Sequence, residues 1–196
     1  MRTAAITRKT KETDISVQLN LDGVTAQGAA PIEIATGVGF FDHMLTALAV
    51  HAGWGLALRC KGDLEVDAHH TVEDCGIALG QALAQALGDK TGVARYGSAA
   101  IPMDESLAEA HADISGRAFL VLSAKFSQAQ AGEFPLCLCE EFFRAFAVNA
   151  GITLHMVLRY GANGHHEGEA LFKAAAHALR KAASPKEGTL STKGSI

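Results

Sequence analysis

The chain has 196 residues, 48% of them hydrophobic, with a formal net charge of −4 and a pI near 6.1, which supplies a real core for one or two domains. No block of like charge occurs, so the composition excludes the electrostatic footprint of a protein that binds nucleic acid or an anionic membrane surface. No apolar run reaches the length of a bilayer span, and the basic start MRTAAITRKTKETD has no continuous apolar segment behind it, so a compact cytoplasmic globule is expected.

In chain order, residues 3 to 10 and 13 to 21 alternate or carry β-formers around turn residues such as LDG, and predict antiparallel strands. FFDHMLTALAVHAG, residues 40 to 53, has apolar residues three and four apart and Gly53 placed to stop a helix. LALRC, residues 56 to 60, predicts another strand. TVEDCGIALGQALAQALG, residues 71 to 88, is Ala-rich and predicts a helix opened by His69 and His70. Strands are then expected over residues 93 to 101, 107 to 114 and 117 to 126, the last two around ISG. A helix follows in EEFFRAFAVNAG, residues 140 to 151, and a strand in LHMVLRY, residues 154 to 160. The last helix, EGEALFKAAAHALRKA over residues 167 to 182, is opened by His165 and His166. After Ala183 the polar stretch SPKEGTLSTKGSI, taken alone, predicts a mobile tail.

The chain is written twice. AVHAG at 49 to 53 answers AVNAG at 147 to 151, a shift of 98, and the doublet at His69 answers that at His165, a shift of 96. AAI recurs at 4 to 6 and 99 to 101, and Glu12 before LDG answers Glu105 before ISG. Duplication is the simplest account. The expected organisation is a first α+β repeat over residues 1 to 91, a second over 92 to 183 and a tail over 184 to 196. The expected fold class is α+β, internally duplicated, each half an antiparallel sheet with two helices packed on one face. Cys60, Cys75, Cys137 and Cys139 form no disulfide framework and read as buried reduced thiols, with metal binding by the Cys137-x-Cys139 pair as the alternative.

The histidines carry the chemistry. HHTVE at 69 to 73 and HHEGE at 165 to 169 share the skeleton His-His-x-x-Glu. On a helix, residues four apart share a face while neighbours point about 100° apart. His69 and Glu73 therefore reach one ion and His70 does not; His165 and Glu169 pair in the same way and His166 points elsewhere. Two metal centres, each taking the pair from one copy and the single histidine from the other, would use all six groups. Laying the copies over each other at a shift of 98 places His43 opposite Glu141, both metal-ligand types. Imidazole and carboxylate donors without thiolate suit manganese, iron, cobalt or zinc, and open positions suit Mn²⁺ or Fe²⁺. The plain alternative is a polar helix start, which two copies in register disfavour. His51, His111, His155 and His177 have no such pairing and read as structural or surface residues.

GVGFFDHML, DAHHTVEDCGIALGQAL, PMDESL, ISGR, TLH, NGHHEGEALFKA and the terminal STKG, taken as an ordered set from TKET near residue 10 onward, resemble the imidazoleglycerol-phosphate dehydratase family of histidine biosynthesis over almost the whole chain. The resemblance implies a duplicated α+β protein with two Mn²⁺ per active site. It also implies a large homo-oligomer, an octahedral 24-mer in the family, whose neighbouring subunits share active sites. One centre would take His69, Glu73 and His166 with residue 141, the other His43, His70, His165 and Glu169. The family commonly has histidine where this chain has Glu141, so either a carboxylate ligates there, favouring harder metals, or water or another group fills the position.

The implied reaction removes water from imidazole glycerol phosphate to give imidazole acetol phosphate. The C–H to be broken has no neighbouring carbonyl, so the substrate imidazole must accept the electrons, and metals on its nitrogens would stabilise the charge. Glu12, in TKET, is the implied group for proton transfer, and Asp104, in PMDE, one for orienting the substrate; without the resemblance Glu12 reads as an exposed strand glutamate. Arg95, Arg117 and Lys173, with Ser191 and Lys193 of the tail, match the family's phosphate-binding positions, where the planar fork of Arg holds two oxygens. The competing readings are another binuclear metal enzyme, such as a hydrolase, and a non-catalytic shell whose metals only join subunits.

Overall fold

The computed structural model describes residues 1–26, 28–188 and 190–191. The first half runs β1 (Thr3–Lys9), β2 (Thr13–Asn20), β3 (Ile32–Ala35), α1 (Gly39–Ala52), β4 (Gly55–Gly62) and α2 (His69–Leu87). The second repeats that order as β5 (Tyr96–Met103), β6 (Ser106–Asp113), β7 (Phe119–Ser123), α3 (Leu138–Ala150), β8 (Thr153–Tyr160) and α4 (Gly164–Ala182). Strand order is β1-β2-β4-β3 in one sheet and β5-β6-β8-β7 in the other. Two-residue ribbons, Val24–Thr25 with Gly28–Ala29 and Gln130–Ala131 with Phe134–Pro135, lie in the connections.

The internally duplicated α+β class expected from the sequence is the architecture found, with one correction. The sheets are not purely antiparallel, because edge strand β3 runs parallel to β4 and β7 parallel to β8. The cause is the intervening helix: a strand that crosses over through α1 or α3 re-enters the sheet in its original direction. β3 escapes a sequence reading because its four residues, IEIA, alternate between half-buried and exposed directly behind Pro31 and carry no deep apolar face.

Along β2, Thr13, Ile15, Val17 and Leu19 are buried and Asp14, Ser16 and Gln18 exposed, so a period of two turns one sheet face inward and the other out. The helices cover the inner faces, α2 over β1 and β2 and α4 over β5 and β6. Between the sheets the pairing crosses the repeat: α1 packs on α4 and α2 on α3. Phe142 is the hub of the buried core, its ring centroid 5.4 Å from those of both Phe41 and Phe172 and 5.1 Å from that of Phe143. Arg2 adds a polar tie between the halves, its guanidinium on Asp22 at 2.8 and 2.9 Å and on the Ala183 carbonyl.

Gly53 and Gly151 end α1 and α3 in the left-handed region, at φ 71° and 64°, where the N–H groups of Gly53 and Trp54 return to the Val50 and Ala49 carbonyls. Gly76 and Gly80 serve close packing instead. A Cβ on Gly76 would stand 2.7 Å from the Phe142 carbonyl oxygen, and one on Gly80 2.5 Å from that of Phe146. Backbone atoms cannot yield as a side-chain tip can. Gly80→Ala is therefore expected to force α2 off α3 and cost about 1–3 kcal/mol, read as a lower urea midpoint with unchanged m.

Of the histidines outside the doublets, His51 and His177 meet between α1 and α4, Nδ1 to Nε2 at 3.2 Å. At the equivalent place between α3 and α2 stand Asn149 and Gln81, 3.4 Å apart. Burial, helped by Lys173 and by His177, lowers the His51 pKa; burial, with Arg180 and Lys181, lowers that of His177. Because the unfolded chain takes up these protons first, the stabilising effect of the neutral pair is complete above the unfolded value near 6.5 and is lost as pH falls below it. The double variant His51→Asn, His177→Gln, which copies the other half, is expected to flatten the fall in Tm between about pH 7 and pH 5; calorimetry across that range checks it.

Candidate functional site

The doublets open their helices as the spacing predicts. The backbone N–H groups of His69 and His165 donate to Asp67 Oδ1 at 2.7 Å and Asn163 Oδ1 at 2.9 Å, which anchors the first turn of α2 and of α4. Across one turn, His69 Nε2 lies 3.9 Å from Glu73 Oε2, and His165 Nε2 lies 3.3 Å from Glu169 Oε2. Helix α1, packed parallel to α4, adds His43, whose Nε2 is 3.6 Å from the same Glu169 oxygen. Ligand atoms of His43, His165 and Glu169 all lie within 4.8 Å of one another, the only such three-donor group among the described residues. Glu169 is buried while both imidazoles are exposed, so the group opens to solvent from a fixed floor. Burial raises the Glu169 pKa, but the Lys173 ammonium at 2.6 Å, with smaller help from His43 and His165, outweighs it and holds the carboxyl below its usual range.

The matching group in the other helix pair is looser. Contacts of Gly76 with Phe142 and of Gly80 with Phe146 show that α2 and α3 run parallel, which brings half-buried Glu141 level with the first turns of α2. His69 and Glu73 stand together there, but Glu141 does not close onto them to make a second three-donor group.

His70 and His166 lie apart from both groups. His70 Nδ1 faces Asp63 at 3.0 and 3.2 Å, and its Nε2 is 3.8 Å from Glu12 Oε1. His166 Nδ1 faces Glu105 at 2.8 Å, and its Nε2 is 3.6 Å from Asp104 Oδ2. The Asp63 hydrogen bond raises the His70 pKa, the Glu105 bond raises that of His166, and the His166 bond lowers Glu105 to about 2. Within one chain, then, neither single histidine joins the pair from the other copy.

Arg95 and Arg117 converge on Asp113, Arg95 through Nε at 2.8 Å and Arg117 through Nη2 at 3.4 Å. Arg95 has a left-handed backbone, φ 74°, and its Nη1 donates to the Leu190 carbonyl at 2.6 Å, beside half-buried Ser191. The start of the tail is further held by Lys186, whose N–H donates to the Gly92 carbonyl. Lys193 lies outside the described residues. Lys173 stands with the histidine group instead, on Glu169 and near Met103 Sδ. Cys137 is exposed, against expectation: the Cys-x-Cys pair sits at the start of α3, where residues two apart point to different sides, and only Cys139 is buried. Sequence reading also passed over Asp63, Asp67, Asn163 and Asp113. For Asp67 and Asn163 a signal exists, since both stand two residues before a doublet; for Asp113 there is none.

Removing the Glu169 charge leaves Lys173, mostly buried, without its partner. Glu169→Gln is expected to destabilise the metal-free protein by about 1–3 kcal/mol, and Glu169→Gln combined with Lys173→Met by less than that. Equilibrium urea unfolding of the two variants against the parent checks the difference.

Comparison with known proteins gives this geometry a family. The family model described as imidazoleglycerol-phosphate dehydratase matches residues 36–179. The chain is 56% identical to the imidazoleglycerol-phosphate dehydratase of Cereibacter sphaeroides, over 94% of this chain and 92% of that one. It is 54% identical to that of Methylorubrum extorquens over 100% of both. Among solved structures, the crystal structure of the Staphylococcus aureus imidazoleglycerol-phosphate dehydratase superposes with a TM-score of 0.84 at 40% identity, covering 94% of this chain and 99% of the other. The chain belongs to the imidazoleglycerol-phosphate dehydratase family of hydro-lyases.

Proposed function

We propose that the protein removes water from imidazole glycerol phosphate to give imidazole acetol phosphate, as a cytoplasmic Mn²⁺-dependent step of histidine biosynthesis. The observation that carries the metal requirement is the convergence of His43, His165 and Glu169. Two imidazoles and a carboxylate from two helices, with no thiolate, suit a borderline-to-hard divalent ion. His69 and Glu73, with Glu141 level beside them, would hold the second ion, and His70 and His166 would complete one centre each. When bound, the ions supply Lewis-acid stabilisation of charge on the substrate imidazole.

A site built by more than one copy of the chain is supported by distances along α4. Arg95 N–H donates to the carbonyl of Ala182, at the opposite end of that helix from His165. Seventeen residues of helix span roughly 25 Å, longer than a glycerol phosphate arm. The histidine group and the arginine pair of one chain therefore cannot serve the same small substrate, whereas those of neighbouring copies in a large homo-oligomer can. Arg95, Arg117, Lys173, Ser191 and Lys193 would hold the phosphate, and Asp113 presents the two arginine forks together. Glu12, about half exposed on the β1–β2 turn beside His70, would serve the proton transfer from carbon to the leaving hydroxyl, and Asp104, beside His166, would orient the substrate.

Turnover of imidazole glycerol phosphate, followed after chelation and again after Mn²⁺ is restored, tests the proposal. Activity is expected to vanish and return, and Glu12→Gln is expected to lose about 10²-fold or more in kcat with assembly and Mn²⁺ binding retained. Undiminished turnover in metal-free protein would overturn the reading.

A further inference from the structure

The second histidine of each doublet differs from the first in what stands on its Nδ1. His70 Nδ1 has the Asp63 carboxylate at 3.0 and 3.2 Å, and His166 Nδ1 has that of Glu105 at 2.8 Å. The ion contacts of His43, His69 and His165 are all through Nε2, and no carboxylate stands on Nδ1 of these three among the described residues. A carboxylate only accepts, so Nδ1 must carry the proton, and the lone pair of the neutral ring is then on Nε2. Glu12 and Asp104, the nearest carboxylates to those Nε2 atoms, are 3.8 and 3.6 Å away, too far for a hydrogen bond. Among the described residues neither Nε2 makes a hydrogen bond.

The two halves reach this arrangement from different backbone positions. Asp63 follows β4, and at the matching place after β8 the chain has Gly161, where a Cβ would lie 2.5 Å from Glu167 Cγ and 2.6 Å from Ser106 Oγ. A side chain there would have to displace those of Glu167 and Ser106. The carboxylate comes instead from Glu105 on the β5–β6 turn, whose counterpart by repeat is Glu12, and Glu12 faces Nε2 rather than Nδ1. Glu105 is itself anchored, accepting from Ser106 Oγ at 3.1 Å and from the Ala162 N–H at 3.3 Å. A relic of duplication would keep the same residue in the same place. Here the contact is kept while its source changes, which points to a requirement of the ring.

The geometry assigns Asp63 and Glu105 as positioning residues that fix the tautomer and orientation of His70 and His166 as Nε2 donors. The assignment rests on the proposed role of those histidines in completing the metal centres. It also has a physical reason in that role. His69 with Glu73, and His165 with Glu169, are oriented as chelating pairs by their own helix, whereas a single histidine offered to a distant centre has no such partner and needs one outside the metal to hold its ring. A carboxylate on the far nitrogen also makes the imidazole a stronger donor.

The test is Mn²⁺ affinity of the assembled protein, titrated against a competing chelator, with urea unfolding of each metal-free variant alongside. Parent protein is expected to bind Mn²⁺, and His70→Asn and His166→Asn each to lose a tight site. Asp63→Ala and Glu105→Ala are expected to bind about 10–100-fold more weakly. Asp63→Asn and Glu105→Gln, whose amide oxygen still accepts from Nδ1–H but carries no charge, are expected to fall between these and the parent, with parental unfolding midpoints, which a merely structural role would not produce. If the histidine variants lose a site while all four carboxylate variants bind as the parent does, the positioning role is overturned and the metal reading stands. If the parent binds no Mn²⁺, or His70→Asn and His166→Asn bind as the parent does, the metal reading itself fails and the inference with it.

Discussion

Parallel packing of a helix from one half on a helix from the other is the constraint on which the site depends. A single helix start can offer two donors four residues apart, as His165 and Glu169 stand 3.3 Å from each other, but two ligands would leave an ion weakly held. The third donor, His43, comes from α1, and it arrives at the right level because α1 and α4 start together and run the same way. Parallel neighbours with aligned starts cannot be joined by a short loop. They come here from different repeats, α1 from the crossover between β3 and β4 and α4 from the end of β8, so the three donors are assembled only where the two halves pack together.

The same pairing sets what the core must be. Gly76 and Gly80 let α2 approach α3 to backbone contact, while α1 and α4 meet through larger side chains, Phe40 against Gly168 and His51 against His177. The second helix pair therefore need not repeat the side-chain geometry of the first. That difference agrees with the looser placement of Glu141 relative to His69 and Glu73. The buried Phe142 cluster joins α1, α3 and α4 in one continuous core, so the first turns that carry the donors sit on a rigid body rather than on loops.

Much of this was readable in the residues. Helical period fixes that His69 pairs with Glu73 and that His70 turns away, and the structure places them so. The shift of 98 between the copies sets His43 opposite Glu141 on sequence alone. What could not be read is contact between elements far apart in sequence. Asp63 and Glu105 do not occupy matched positions in the repeat, so comparing copies conceals their common role. β3 has no buried apolar face to announce it, and its parallel direction follows from a crossover that strand periodicity does not encode. That Arg95 belongs at the far end of α4 from His165 is likewise a property of how β5 lies along the helix, not of its neighbours in the chain.

The divergence between halves shows which contacts the fold needs and which it only inherited. Where a polar pair merely fills the seam between paired helices, its chemistry has drifted: His51 with His177 on one side, Asn149 with Gln81 on the other. Either pair satisfies half-buried polar atoms. Where a contact sets the direction of an imidazole, the chemistry is held although the backbone position is not, as with Asp63 and Glu105. A carboxylate at Nδ1 can be supplied from any loop within reach, and its charge raises the basicity of the opposite nitrogen more than an uncharged acceptor of the same hydrogen bond does. Between duplicated halves, constancy of an interaction through a change of residue and position is thus a more discriminating mark of function than constancy of the residue itself.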